Sequence, residues 1–170
     1  MTGYRGCGKS TVGALVANSL GFEYVDTDAV VESSAGESIA ELFEHVGEAG
    51  FRDLESDAIR NVGILTQPAV ISLGGGAILR EENRALIREM GVTVWLQASP
   101  ETLMERISKD SSTATRRPKL SKLGDLEEIR SILSQRACWY QAIADMHIST
   151  ELHSLEQVAT QIVNWYRENS

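Results

Sequence analysis

Gly3-Tyr4-Arg5-Gly6-Cys7-Gly8-Lys9-Ser10 sets a glycine, four residues and then Gly-Lys-Ser near the start of a 170-residue chain. Glycines at that spacing let successive backbone N–H groups turn inward around a phosphate with no Cβ atom in the way. Lys9 can then reach the outer phosphates of a nucleotide, and the Ser10 hydroxyl can ligate Mg²⁺. A loop of this kind joins a buried strand to a helix, so it commits the chain to an α/β fold. Val12, Leu15, Val16 and Leu20 follow at helical spacing and Gly21 closes the run, which places a helix N-terminus under the phosphates. Gly3, Gly6, Gly8, Lys9, Ser10 and Thr11 are therefore the candidate nucleotide-binding residues.

The remainder of the chain keeps the α/β rhythm. Runs at 22–26, 69–73, 92–96 and 146–149 read as strands, with helical patterns between them, which is the signature of a parallel sheet. Ser38 with Glu41 and Ser154 with Gln157 are spaced as capping boxes, and Ser99-Pro100 supplies an N-cap and a first-turn proline. The stretch 108–123 has no apolar period and is long for a connection, as a lid would be.

Composition narrows the functional classes. A chain that is 42% hydrophobic can bury a real core, and a single domain spanning 1–170 is expected. The net charge of −8 argues against a nucleic-acid surface, so anions have to be bound by particular arginines and lysines. No apolar stretch approaches the roughly 20 residues that span a bilayer. Two cysteines make no disulfide framework, and a cytoplasmic protein is expected.

Several constellations lie beyond the loop. Asp26-Thr27-Asp28 ends the second strand-like run, with two carboxylates at i and i+2 and about 6.5 to 7 Å apart if the strand continues. Mg²⁺ near Asp26 and a substrate hydroxyl at Asp28 fit that position; a helix N-cap followed by a solvated acid also fits. Arg52 and Glu55 are three apart on a helix, which allows either a surface ion pair or a guanidinium oriented toward a substrate carboxylate. Gly74-Gly75-Gly76 follows a buried strand, and such a run is best explained by a close approach to its backbone, a ligand being the expected visitor. Arg116-Arg117-Pro118 sits in the lid stretch, and Arg136 comes late on the next helix beside Trp139 and Tyr140. The three histidines have no metal-ligand spacing.

Taken in order, the phosphate loop, Asp26-Thr27-Asp28, Phe51-Arg52 with Glu55, Gly74-Gly75-Gly76, Arg117-Pro118 and Arg136 with Tyr140 resemble the shikimate kinases over essentially the whole chain. The resemblance implies a P-loop kinase of the nucleoside monophosphate kinase type, with a parallel sheet in the order 2-3-1-4-5. It also implies a substrate-binding helical region near 29–62 and a lid near 108–123. The reaction implied is transfer of phosphate from ATP to the 3-hydroxyl of shikimate, in aromatic amino acid biosynthesis, by a monomer. On this resemblance Lys9 and Arg117 serve ATP, Ser10 and Asp26 hold Mg²⁺, and Asp28 receives the substrate hydroxyl. Arg52 and Arg136 clamp the substrate carboxylate, with Gly74, Gly75 and Gly76 lining the pocket beside Phe43 and Phe51. A gluconate kinase sharing loop and fold is the competing enzyme, and a nucleotide-binding module with little activity is the competing non-enzyme.

Three departures from the family pattern carry expectations. The basic residue expected ahead of the lid Arg-Pro is missing, with Lys109 the nearest candidate. After the last strand the chain reads Thr150-Glu151-Leu152-His153 instead of the family's Asn, Arg and Pro. The strand expected before the phosphate loop is missing, so the strands around Ile71 and Val94 are expected to face a gap and the natural chain to extend upstream.

Overall fold

The computed structural model describes residues 1–109 and 125–169. Helix α1 (Lys9–Leu20) begins directly on the phosphate loop, with Gly8 at its N-cap (φ 92°) and Gly21 in the left-handed region at its C-cap (φ 70°). Strand β1 (Glu23–Asp26) follows, then α2 (Thr27–Ala35) and α3 (Ile39–Gly63), which Gly47 interrupts at φ 68° and ψ −178°. Beyond these come β2 (Ala69–Ser72), α4 (Glu81–Met90), β3 (Val94–Gln97), α5 (Pro100–Lys109), α6 (Asp125–Ile143), β4 (Met146–Ser149) and α7 (Leu155–Asn169). The expected lid, with Arg116, Arg117 and Pro118, lies almost wholly outside the described residues; Ser108 and Lys109 end α5.

The expected caps form. Ser38 and Glu41 exchange both hydrogen bonds of a capping box, and Ser154 and Gln157 do the same ahead of α7, at 2.9 and 3.3 Å. Ser99 accepts from the Thr102 N–H at 3.3 Å to start α5. Two strands begin later than their apolar runs suggest. The Phe22 N–H bonds the Ala17 carbonyl at the end of α1, and the Thr93 N–H bonds the Asp145 carboxylate at 2.7 Å, so neither N–H donates to a neighbouring strand's backbone.

β1 pairs parallel with β2, and β3 pairs parallel with β4. The first residues of the chain join the two pairs. The Met1 amine donates to the Ile71 carbonyl and the Leu73 N–H donates to Met1, while Thr2 exchanges bonds with Val94 and Leu96 at 2.9 and 3.0 Å. The spatial order is therefore β1, β2, the segment at Met1 and Thr2, β3, β4, which is the expected 2-3-1-4-5. The gap expected between Ile71 and Val94 is thus only partial: the backbone just ahead of the loop fills its upper end. Below Met1 the two strands flank an apolar cavity of about 430 Å³, lined by residues including Val16, Leu20, Phe22, Val70, Val94 and Ile162.

Helices cover both faces of the sheet. On one, Val12 and Val16 of α1 pack with Val158 and Ile162 of α7 against Val70, Leu96 and Ile148. On the other, Ile59, Ile87 and Tyr140 bring α3, α4 and α6 over Leu73 and Ile78. A third cluster, Val31, Ile39, Leu42, Phe51 and Ala58, ties α2 to α3.

Candidate active site

The phosphate loop and its helix form one wall. Gly6 and Gly8 hold positive φ (78° and 92°), the conformation that turns consecutive N–H groups inward. Lys9 Nζ donates to the carbonyls of Gly3 and Tyr4 at 2.9 and 3.0 Å, which braces the loop from within.

Opposite stands the end of β1. Asp26 caps α2, its Oδ1 accepting the Asp28 N–H at 3.0 Å. Its Oδ2 accepts the Ser10 hydroxyl at 3.3 Å and the Tyr24 hydroxyl at 3.2 Å. The strand does not continue to Asp28, so the expectation of two carboxylates on one strand face is corrected. Asp28 lies in the first turn of α2, partly buried, where the N-terminal helix dipole favours its charge. Burial is the main cause that raises the Tyr24 phenol above its usual range, with the Asp26 carboxylate also raising it.

The glycine run forms a floor for charged side chains. A Cβ on Gly74 would lie 2.6 Å from Asp28 Oδ1 and 2.8 Å from Glu55 Oε1; one on Gly76 would lie 2.0 Å from Arg52 Nη1. The close approach expected at this backbone is therefore made by the protein's own acids and arginine. Thr27 links floor to wall, accepting the Gly74 N–H at 3.0 Å and donating to the Ser72 carbonyl at 3.3 Å.

Arg52 and Glu55 form no surface pair. They are 8% and 1% exposed, joined at 2.8 Å, with Glu48 taking the other guanidinium nitrogen at 3.3 Å. Arg52 Nε is buried without a hydrogen-bond partner among the described residues, and Phe43 and Phe51 pack beside it with ring centroids 4.5 Å apart. From α6, Arg136 Nη1 and the Tyr140 hydroxyl both donate to the Gly75 carbonyl, at 2.8 and 3.1 Å. Burial raises the Tyr140 pKa and keeps that donor protonated.

A cavity of about 860 Å³ opens along the loop, lined by residues including Lys9, Ser10, Asp26, Asp28, Gly75 and Arg106. Gly6, Gly8 and Thr11 also line it, and Thr150, His153, Ser154 and Leu155 close its far end. Arg106, on α5, was not among the residues singled out in the sequence. It donates to the Thr150 hydroxyl and carbonyl at 2.8 and 2.7 Å, and to Gly6 at 3.4 Å. Lys109, the nearest basic candidate by sequence, instead pairs with Glu105 at 2.6 Å on the exposed face. Arg106 falls one turn earlier, beside Ile107 on the side of α5 that turns inward. Tyr24 was also overlooked, although its i, i+2 spacing to Asp26 marks a shared strand face.

Among the described residues no group of three or more His, Cys, Asp or Glu is placed to hold a metal ion, and no helix is long and apolar enough to cross a membrane. A family model described as shikimate kinase matches residues 5–167. The chain belongs to the shikimate kinase family. It is 45% identical to a shikimate kinase of Rhodopirellula baltica over 163 residues, 96% of this chain and 87% of that one. The structure of a shikimate kinase from Acinetobacter baumannii, in complex with shikimate, superposes at a TM-score of 0.91 with 30% identity. That match covers 99% of this chain and 92% of the other. A gluconokinase from Sinorhizobium meliloti shares the fold at a TM-score of 0.57 and 17% identity, covering 99% and 91%. A shikimate kinase is thus a P-loop α/β protein of the nucleoside monophosphate kinase type, and this chain has that fold.

Proposed function

We propose that this chain transfers the γ-phosphoryl group of ATP to the 3-hydroxyl of shikimate, releasing ADP and shikimate 3-phosphate in aromatic amino acid biosynthesis. One observation carries the reading: a buried arginine whose Nε has no hydrogen-bond partner among the described residues borders the same glycine floor as Asp28, which itself lines the phosphate-loop cavity. Substrate acid and nucleotide then meet at Asp28.

In this reading Lys9 exchanges its loop carbonyls for the β- and γ-phosphates, and the N–H groups of Gly6, Gly8, Lys9, Ser10 and Thr11 cradle them. Gly3 supplies the carbonyl that Lys9 leaves. Arg52 and Arg136 clamp the carboxylate over Gly74, Gly75 and Gly76, and Glu55 keeps the Arg52 fork in plane. Asp28 orients the attacking hydroxyl and accepts its proton late, because phosphoryl transfer through a loose transition state depends more on positioning and cations than on a strong base. Arg117, outside the described residues, brings a further cation to the ATP phosphates. Arg106 and Thr150 shape the end of the cavity that receives the base, a role that Lys109 does not fill.

The residues present suit Mg²⁺, which keeps several waters and takes few protein oxygens beside substrate phosphates. Ser10 and Asp26 would hold it, and it would supply charge neutralisation on the phosphates. A cytoplasmic monomer completes the reading.

A coupled assay for ADP, run with shikimate and with gluconate, tests the assignment. Turnover with shikimate alone is the expected result. Equal or faster turnover with gluconate, or none with shikimate, overturns it.

A further inference from the structure

We propose that Tyr24 is a positioning residue for the divalent-cation site, its hydroxyl fixing the Asp26 carboxylate so that this acid meets the cation through water. The inference rests on the proposed role of Ser10 and Asp26 in holding that cation.

Among the described residues three donors hold Asp26. The Asp28 N–H occupies Oδ1 at 3.0 Å, and the Ser10 and Tyr24 hydroxyls converge on Oδ2 at 3.3 and 3.2 Å. Neither oxygen is left without a donor, and the carboxylate cannot turn without losing one of them. With its proton committed to Oδ2, the Ser10 oxygen presents its lone pairs elsewhere, as a neutral hydroxyl ligand must. A carboxylate anchored this way suits Mg²⁺, which gives up water reluctantly. Without the tyrosine hydroxyl, Ser10 alone steadies Oδ2, and the acid is free to swing toward or away from the cation.

The ring is also placed deliberately. Tyr24 lies against α1 at Gly13, where a Cβ would come within 2.7 Å of ring carbon Cε2. The absent side chain lets the ring lie flat enough for its hydroxyl to reach Asp26. Any aromatic ring would fill that space, so packing alone does not account for the hydroxyl.

Tyr24→Phe keeps the ring and removes the hydroxyl. Mg²⁺ is titrated into protein saturated with ADP and followed by calorimetry, and ADP is titrated separately in the presence of chelator. Direct partners of metal ligands typically contribute 10- to 100-fold in affinity, and Tyr24 stands behind an acid that meets the cation through water, so the apparent Mg²⁺ dissociation constant is expected to rise by roughly 3- to 10-fold. ADP binding in chelator should stay at its wild-type value, which a tyrosine that merely held the phosphate loop in shape would not allow. Gly13→Ala, which displaces the ring but keeps the hydroxyl, is expected to shift the Mg²⁺ titration the same way. Superimposable Mg²⁺ titrations for wild type and Tyr24→Phe overturn the proposal. Asp26→Asn separates the two readings: if it weakens Mg²⁺ and Tyr24→Phe does not, only the tyrosine role fails. If Asp26→Asn also leaves the titration unmoved, the cation site itself is misplaced.

Discussion

Asp28→Asn is expected to lower kcat by about 10²-fold or more, the usual contribution of a positioned general base, while shikimate and ADP still bind. Asparagine has the shape of aspartate, so it fits the narrow space over Gly74, where a single added Cβ would lie 2.6 Å from Oδ1. What it lacks is the charge that orients the hydroxyl and receives the proton. Steady-state rates with calorimetric binding constants separate these contributions. Near-normal turnover in the variant would remove Asp28 from the chemistry and leave it as a residue of the first turn of α2.

The second large effect is expected from a residue with no side chain. Gly76→Ala places a methyl group 2.0 Å from Arg52 Nη1, and the guanidinium is held in that position by Glu55, Glu48 and the Phe51 ring. The arginine end is the softer partner, so it moves and the protein still folds. Losing a hydrogen-bonded charge costs about 1.5 to 3 kcal/mol, so shikimate affinity should fall roughly 10- to 10²-fold. ADP binding, made at the phosphate loop, should hold. An unchanged KM for shikimate in Gly76→Ala would show that Arg52 does not grip the carboxylate.

Parts of this site are legible residue by residue because local chemistry forces them. The phosphate loop needs glycines at Gly6 and Gly8 whatever surrounds it, and both adopt positive φ. Ser38 with Glu41 and Ser154 with Gln157 satisfy their helix starts from within four residues, so spacing alone reveals them. Arg52 with Glu55 is the opposite case. Three-residue spacing on a helix describes an exposed pair and a buried one equally well, and only the packing of α3 over the glycine floor makes this pair 8% and 1% exposed. Arg106 escaped notice for a related reason: its partners, Gly6 and Thr150, stand 100 and 44 residues away.

By itself, the order of residues determined the nucleotide loop, the α/β class, the alternation of strands and helices and the family, since each rests on short-range periodicity or on spacing along the chain. Tertiary structure decided that Met1 and Thr2 bridge two strand pairs, that Asp28 sits over Gly74, and that Tyr24 and Ser10 share one oxygen of Asp26. Those are meetings between segments far apart in sequence, governed by which side chains can occupy the same few ångströms, and no local pattern encodes a distance of that kind.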